Sequence, residues 1–163
     1  MARRIYDGEI KVQWVPGLNG IADRSAPTTV ELATGVDITE FLQSLDTPLD
    51  GEAVPSMDLS SAYRKTVAGP FGGEITSVMY REDEEADDIA FPLFPRNTTG
   101  HFVIRRFGGS DVAFVNGDDV EVWPVRVITR SPVAAESAVV QAFTANFAGL
   151  DDPVMDANVG GVT

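Results

Sequence analysis

Six carboxylates fall within the run Glu82-Asp83-Glu84-Glu85-Ala86-Asp87-Asp88. Hard oxygen donors at that density are the raw material of a calcium or magnesium site. The spacing argues otherwise, because a calcium-binding loop interleaves its acids with other residues around a central glycine and this run does not. A solvated acidic segment is the plainer reading. His101 is the only histidine, and a hydrolytic triad built on it would need a nucleophile-elbow motif that the chain lacks. A histidine at the start of a strand is more often structural. Phe71-Gly72-Gly73 and Phe107-Gly108-Gly109-Ser110 are glycine-rich, yet neither has the spacing of a phosphate cradle between a strand and a helix, so both read as turns. Asn97-Thr98-Thr99 has the form of a glycosylation sequon and reads as turn chemistry in a chain without a secretory signal. Cysteine is absent, which excludes a disulfide framework, a thiolate zinc site and a cysteine nucleophile. No catalytic residue, metal or cofactor is expected, and the chain does not read as an enzyme.

The bulk composition allows a structural role. The chain has 163 residues, 44% of them hydrophobic and 23% charged, values of a single globular domain with a real core. Asp and Glu number 25 against 12 Lys and Arg, a net charge of −13. Nucleic-acid binding needs clustered cations, so this balance argues against it while permitting a protein that DNA passes without sticking. Trp14 and Trp123 accordingly read as core or interface anchors and not as platforms for bases. No apolar run approaches the length of a membrane span. The start of the chain has no apolar leader, so synthesis and assembly in a cytoplasm are expected.

The elements that must carry these residues are mostly strands. Residues 10–15 (Ile10-Lys11-Val12-Gln13-Trp14-Val15) alternate as a strand with one buried face, ended by Pro16-Gly17. Pro27 opens a short helical segment over 28–33, closed by Gly35. Residues 36–42 alternate again, 74–81 read as a strand, and 101–106 and 119–127 as two more. Pro124 inside the last predicts a bulge or an edge position. Asp87 and Asp88 are placed to cap a helix that Pro92 and Pro95 limit to about two turns. Residues 139–147 are read as a strand with Phe143, Ala145 and Phe147 on one face. Three segments fall outside this pattern. Residues 1–8 read as an N-terminal arm, and 151–163 as a flexible C-terminal tail. Residues 44–73, rich in Asp, Gly, Pro and Ser with one short possible strand over 56–63, read as a long projecting hairpin or loop, a segment ordered by a partner. The expected fold is a single mainly β domain over residues 1–163. It is a β-sandwich or partly open barrel of about six to eight strands with one or two short helices.

The order of these pieces carries a resemblance over nearly the whole chain. Lys11-Val12-Gln13-Trp14-Val15-Pro16 comes first, then Ala26-Pro27-Thr28-Thr29-Val30-Glu31-Leu32-Ala33-Thr34-Gly35-Val36-Asp37-Ile38-Thr39 with Phe41-Leu42. Gly69-Pro70-Phe71-Gly72-Gly73, Glu85-Ala86-Asp87-Asp88 and Pro95-Arg96 follow, then Thr99-Gly100-His101-Phe102-Val103-Ile104 and Val120-Glu121-Val122-Trp123-Pro124-Val125. Their order and spacing resemble the major tail tube protein of long-tailed, siphovirus-type bacteriophages, in the form found among actinobacteriophages. The resemblance implies a small β-sandwich with a flanking helix, a virion protein made in the host cytoplasm and used in the tail. Six copies would close into a ring by strand pairing, and rings would stack into the conduit for DNA ejection. A tape measure protein, a tail terminator and a distal tail protein are the partners implied.

On this reading Thr47, Leu49, Asp50, Gly51, Val54 and Pro55 of the long loop are expected between rings. Six chains of −13 would make a ring of −78, and a negative wall repels phosphate and lets DNA slide. Asp118, Asp119 and Glu121, beside the strand at 120–127, are the acids expected to face that lumen. Two other readings compete. One is a different β-sandwich virion part, a head–tail connector or decoration protein. The other is a carbohydrate- or metal-binding β-module using the acidic run.

Overall fold

A computed structural model of the chain describes residues 8–56, 65–82 and 84–160. Those residues form ten strands: β1 (Lys11–Pro16), β2 (Val36–Asp37), β3 (Leu42–Asp46), β4 (Asp50–Ser56), β5 (Lys65–Gly72), β6 (Glu74–Tyr80), β7 (Thr99–Arg105), β8 (Asp119–Pro132), β9 (Ala142–Gly149) and β10 (Val154–Asn158). Two short helices, α1 (Thr29–Ala33) and α2 (Ala90–Leu93), and one 3-10 turn, Thr39–Phe41, complete them. Eight strands make one antiparallel sheet in the order β2-β1-β7-β8-β9-β6-β3, with β10 on β8. β4 and β5 pair with each other as a separate ribbon. The protein is thus mainly β, and its large sheet is not closed into a barrel.

The sheet bends on itself around aromatic side chains. Trp14 lies on β1 and Phe147 on β9, three strand positions apart, which is about 14 Å in a flat sheet. Their ring centroids are 6.2 Å apart. Phe102 stands edge-on to both, at 5.0 Å from Trp14 and 4.7 Å from Phe147. Phe94, just past α2, closes the group at 5.0 Å from Trp14 and 5.3 Å from Phe147. Such edge-to-face pairs match the positive ring edge to the negative face. Ile75, Met79, Trp123, Val125, Val127 and Phe143 fill the space around them. One layer is therefore β2-β1-β7 with the first half of β8. The other is the second half of β8 with β9, β6 and β3. Gly100 permits the approach of Trp14: a Cβ there would meet the indole at 2.5 Å.

The first layer is buried on its outer face too, which corrects the expected half-buried β1. Val15, Val103, Val120 and Val122 pack there against Ile21, Leu32 of α1, Ala157 and Val159. The polar residues of β1 are satisfied in place. Gln13 Nε2 donates to the Leu32 carbonyl, and Lys11 Nζ to Asp37 and to the Ser110 carbonyl. α1 is held by a capping box between Thr28 and Glu31.

Several expectations change. The strand foreseen at 36–42 breaks into β2, the 3-10 turn and the start of β3, so one short bend carries the chain from one edge of the sheet to the other. The flexible tail over 151–160 is replaced by β10, which pairs with β8 and buries Ala157 and Val159; residues 161–163 lie outside the described residues. The arm over 1–7 does as well, while the Gly8 carbonyl accepts from the Ser110 amide. β8 runs five residues beyond its expected end. Pro124 sits where its partner changes, after β10 stops at Val122 and before β9 begins at Val125, so its missing N–H costs no ladder bond. The bulge falls later, between Val127 and Thr129.

Two outcomes follow from this packing. Phe147→Ala removes a fully buried ring at the meeting point of both layers, and should cost about 3–5 kcal/mol in urea unfolding. His101, on β7, is also buried, and its Nδ1 has no hydrogen-bond partner among the described residues. Burial, with Arg24 nearby, holds its pKa below the usual 6.5, against the smaller opposing effects of the Gly17 backbone and Glu31. The unfolded chain takes up a proton near that value and the folded chain does not. Stability is therefore full above it and falls as pH drops toward the lower folded-state pKa. The urea midpoint should decrease between about pH 7 and pH 5, and His101→Gln should flatten that slope. An unchanged slope in the variant would assign the pH dependence to other groups.

Candidate assembly surfaces

Among the described residues no group of His, Asp and Glu is placed to hold a metal ion. The acidic run instead forms a turn, and its carboxylates part company. Glu84, Glu85 and Asp87 are exposed, while Asp88 turns inward and accepts from Arg81 Nε at 2.9 Å and Nη2 at 2.6 Å. Asp88 therefore does not cap α2. The residue before the helix is Ile89, with no side-chain cap. The Arg81 guanidinium also lies over the Phe91 ring at 4.0 Å, and Arg130 over the same ring at 3.8 Å. One phenylalanine is thus held between two cations.

The three acids expected to face a lumen stand at the start of β8, and the structure gives each a partner. Asp118 Oδ2 accepts from Arg105 Nη1 at 2.7 Å and from the Val115 amide at 3.0 Å. Glu121 is buried and accepts from Arg106 Nε at 2.5 Å and from Trp123 Nε1 at 3.1 Å. Asp119 is exposed and accepts from Asn158 Nδ2 at 3.2 Å. Two of the three acids are thus paired with an arginine, and Asp119 with an amide.

Sequence reading missed the residue that organises this end. Arg105 is 3% exposed, and its guanidinium donates to the carbonyls of Gly109, Val112 and Ala113 as well as to Asp118. The whole of the loop between β7 and β8 is wound around this one cation, a form of the bidentate, planar recognition that lysine does not reproduce. The signal in the sequence was an arginine followed at once by a glycine-rich loop with its acid at the far end. At the other edge of the layer, Asp37 keeps a lowered pKa: burial raises it, but Lys11 and the Thr39 hydroxyl and amide outweigh burial.

The segment expected to work between rings contains β4 and β5. Leu49 and Val54 are large apolar side chains left 41% and 39% exposed, and Asp50 and Gly51 are exposed beside them. Thr47 is half-buried, and Pro55 pairs in register with Thr66. Gly51, Pro55, Gly69 and Gly72 lie within the ribbon, and Gly73 lies between β5 and β6. A two-stranded ribbon has only edge strands, where proline and glycine are tolerated. Of the short strand foreseen at 56–63, Ser56 ends β4 and the rest lies outside the described residues. The ribbon leaves the body beside Gly73, so close that a Cβ there would meet the Pro48 carbonyl at 2.4 Å. That is the Glu74 end of β6. The loop between β8 and β9, with Val139 and Val140 exposed, joins the Tyr80 end.

The sheet also ends in unpaired strands. Among the described residues, β3 is bonded to β6 on one side only. Beyond Val127, β8 has β9 on one side and no strand on the other among the described residues. Between these two edges lie four adjacent strands, β8-β9-β6-β3.

The geometry agrees with what the chain is similar to. The tail of an empty gene transfer agent particle, described with helical refinement and C6 symmetry, is 16% identical with a TM-score of 0.58, covering 96% of this chain and all of that one. The virion of a native gene transfer agent particle is 14% identical, with a TM-score of 0.56 and coverage of 96% and 100%. The baseplate of the anti-feeding prophage is 10% identical, with a TM-score of 0.55 and coverage of 96% and 98%. At such identities these likenesses show the fold alone. No curated protein matches the chain. The family described as phage tail tube protein matches residues 1–162. That match spans the sandwich, its unpaired edges and the ribbon together, and the chain belongs to the phage tail tube protein family, a structural and non-enzymatic component of a tail tube.

Proposed function

We propose that six copies of this chain close into a ring and that rings stack into the conduit through which phage DNA is ejected. The observation that carries the reading is the pair of unpaired edges on one four-stranded sheet. An exposed edge presents unsatisfied N–H and C=O groups and is a template for another strand. Pairing the outer half of β8 in one subunit with β3 in the next satisfies both edges and repeats around a ring. The six-fold symmetry given for the similar gene transfer agent tail supports six as the number.

The ribbon β4–β5 supplies contacts along the axis. A two-stranded ribbon alone is marginally stable in water, and this one carries apolar Leu49 and Val54 on an exposed surface. Seated on the neighbouring ring, with Thr47, Asp50, Gly51 and Pro55 around them, these side chains leave water and the ribbon gains its missing support. The tape measure protein, tail terminator and distal tail protein meet the tube at its inside and its two ends, in a tail assembled in the host cytoplasm.

Electron microscopy of the purified protein tests the ring and the stack. Tubes with six-fold rings are expected; monomers at every concentration would overturn the reading. Because Pro48 and Gly73 already touch, residues 50–71 can be excised with a short glycine turn in their place. The excised chain should keep its far-ultraviolet circular dichroism and unfolding midpoint and form single rings or monomers. Full-length tubes from the excised chain would remove the ribbon from the stacking contact.

A further inference from the structure

We infer that neighbouring subunits also recognise each other through charge, the Arg130 guanidinium of one entering the groove beside β3 of the next and meeting Glu40 there. The inference rests on the ring reading above and adds a side-chain contact to the strand pairing. The two unpaired edges differ in what lies beneath them. Along the outer half of β8, α2 fills the gap between the layers. Ala90 of α2 and Phe94 just past it are buried, and Phe91 meets the buried Phe143 ring edge-on at 5.2 Å. Along β3 the same gap is open. A groove of about 770 Å³ lies there, with the partly buried Ile10, Leu42 and Leu45 at its base and the exposed Glu40 and Asp111 at its rim.

The two sides carry opposite and unanswered charge. Arg130 stands in register with Ala145, which faces the core, so the arginine leaves β8 on its inner side, toward α2. Its Nη1 donates to the Phe91 carbonyl at 2.5 Å, and its guanidinium lies over the Phe91 ring at 3.8 Å. No carboxylate among the described residues pairs with it, whereas Arg81, at the same ring, is answered by Asp88. In the groove, Lys11 is answered by Asp37 and Arg106 by Glu121. Glu40 and Asp111 have no hydrogen-bond or ion-pair partner among the described residues. Leu45 stands in register with the buried Ser77, and so shares the inner side of the sheet with Arg130. The strands β8, β9, β6 and β3 alternate in direction. An incoming β8 therefore meets β3 antiparallel, with both inner sides on one side of the joined sheet. That step carries Arg130 to the groove. Of the two free acids, Glu40 belongs to the 3-10 turn that leads into β3 and stands at the junction, while Asp111 comes from the loop after β7 on the far wall. An arginine already held by a ring and a carbonyl loses little freedom on meeting a carboxylate. Partial exclusion of water in the groove strengthens the pair.

Charge reversal tests the contact first at its exposed partner, where the fold is least disturbed. Glu40→Arg should raise the concentration needed for ring formation roughly tenfold, because like charges then face each other across the junction. Arg130→Glu should do the same, and the double exchange should bring assembly back to within about threefold of the unsubstituted protein. Far-ultraviolet circular dichroism checks the fold of each unassembled chain, and sedimentation velocity measures the rings. Normal assembly of Glu40→Arg, or a double exchange no better than the single ones, overturns the contact and leaves the ring reading intact. Absence of rings from the unsubstituted protein overturns that reading instead. Because the chain has no native cysteine, a second measurement need not depend on affinity. Glu40→Cys and Arg130→Cys lie at opposite edges of one four-stranded half-sheet, with β9 and β6 between them, so a short bismaleimide joins them only between subunits. Assembled rings of the doubly substituted chain should give a cross-linked ladder ending at six on a denaturing gel. Monomer bands alone from such rings would overturn the contact.

Discussion

The bend of one sheet around Trp14, Phe94, Phe102 and Phe147 is the constraint on which the rest depends. Two-layered β proteins usually bring separate sheets together across a core. Here a single strand, β8, serves both layers, and it does so by changing partners along its length. β10 occupies its flank up to Val122 and β9 occupies it from Val125. Pro124 sits at the exchange, where an amide would have no ladder partner. The bulge before Thr129 then turns the strand into the second layer. Because the aromatic rings meet inside this bend, the orientation of the four-stranded half is fixed relative to the first layer, and so are its two open edges.

Charge is arranged by the same economy of partners. Acids within the body are each answered by a cation or by an N–H donor: Asp88 by Arg81, Asp118 by Arg105, Glu121 by Arg106 and Trp123. A buried carboxylate without such partners would be costly. Arg105 shows the stronger case, since its removal would leave three carbonyls and a carboxylate around an empty site. The net charge of −13 is therefore spread over exposed acids such as Glu84, Glu85, Asp87 and Asp156.

Much of the architecture was legible in the residue pattern. The strand of β6, the buried triad Phe143, Ala145 and Phe147 and the brevity of α2 all follow from spacing and from proline. What escaped had physical reasons. β1 looked half-exposed because Lys11 and Gln13 are polar, but their long stems lie buried while their ends reach Asp37 and the Leu32 carbonyl. β10 looked like a tail because acids and glycines surround it, and only Val154, Ala157 and Val159 betray a buried face. Pairing between β1 and β7 could not be read from either segment alone. Nor does the sequence alone show that the fold brings Arg105 to Asp118 and Arg106 to Glu121.

The register Lys11 with Arg105 ties the first strand to one more than ninety residues away. Loops of that length close slowly, and sheets dominated by distant pairings fold on the slow side of the range for their size. During that interval β3 and the end of β8 are exposed ribbons of unpaired amides in a crowd of identical chains. Mutual repulsion between chains of −13 then acts as a kinetic guard, keeping unfinished molecules apart until each has its own bend in place. Unpaired edges of neighbouring chains would otherwise be free to pair before folding is complete.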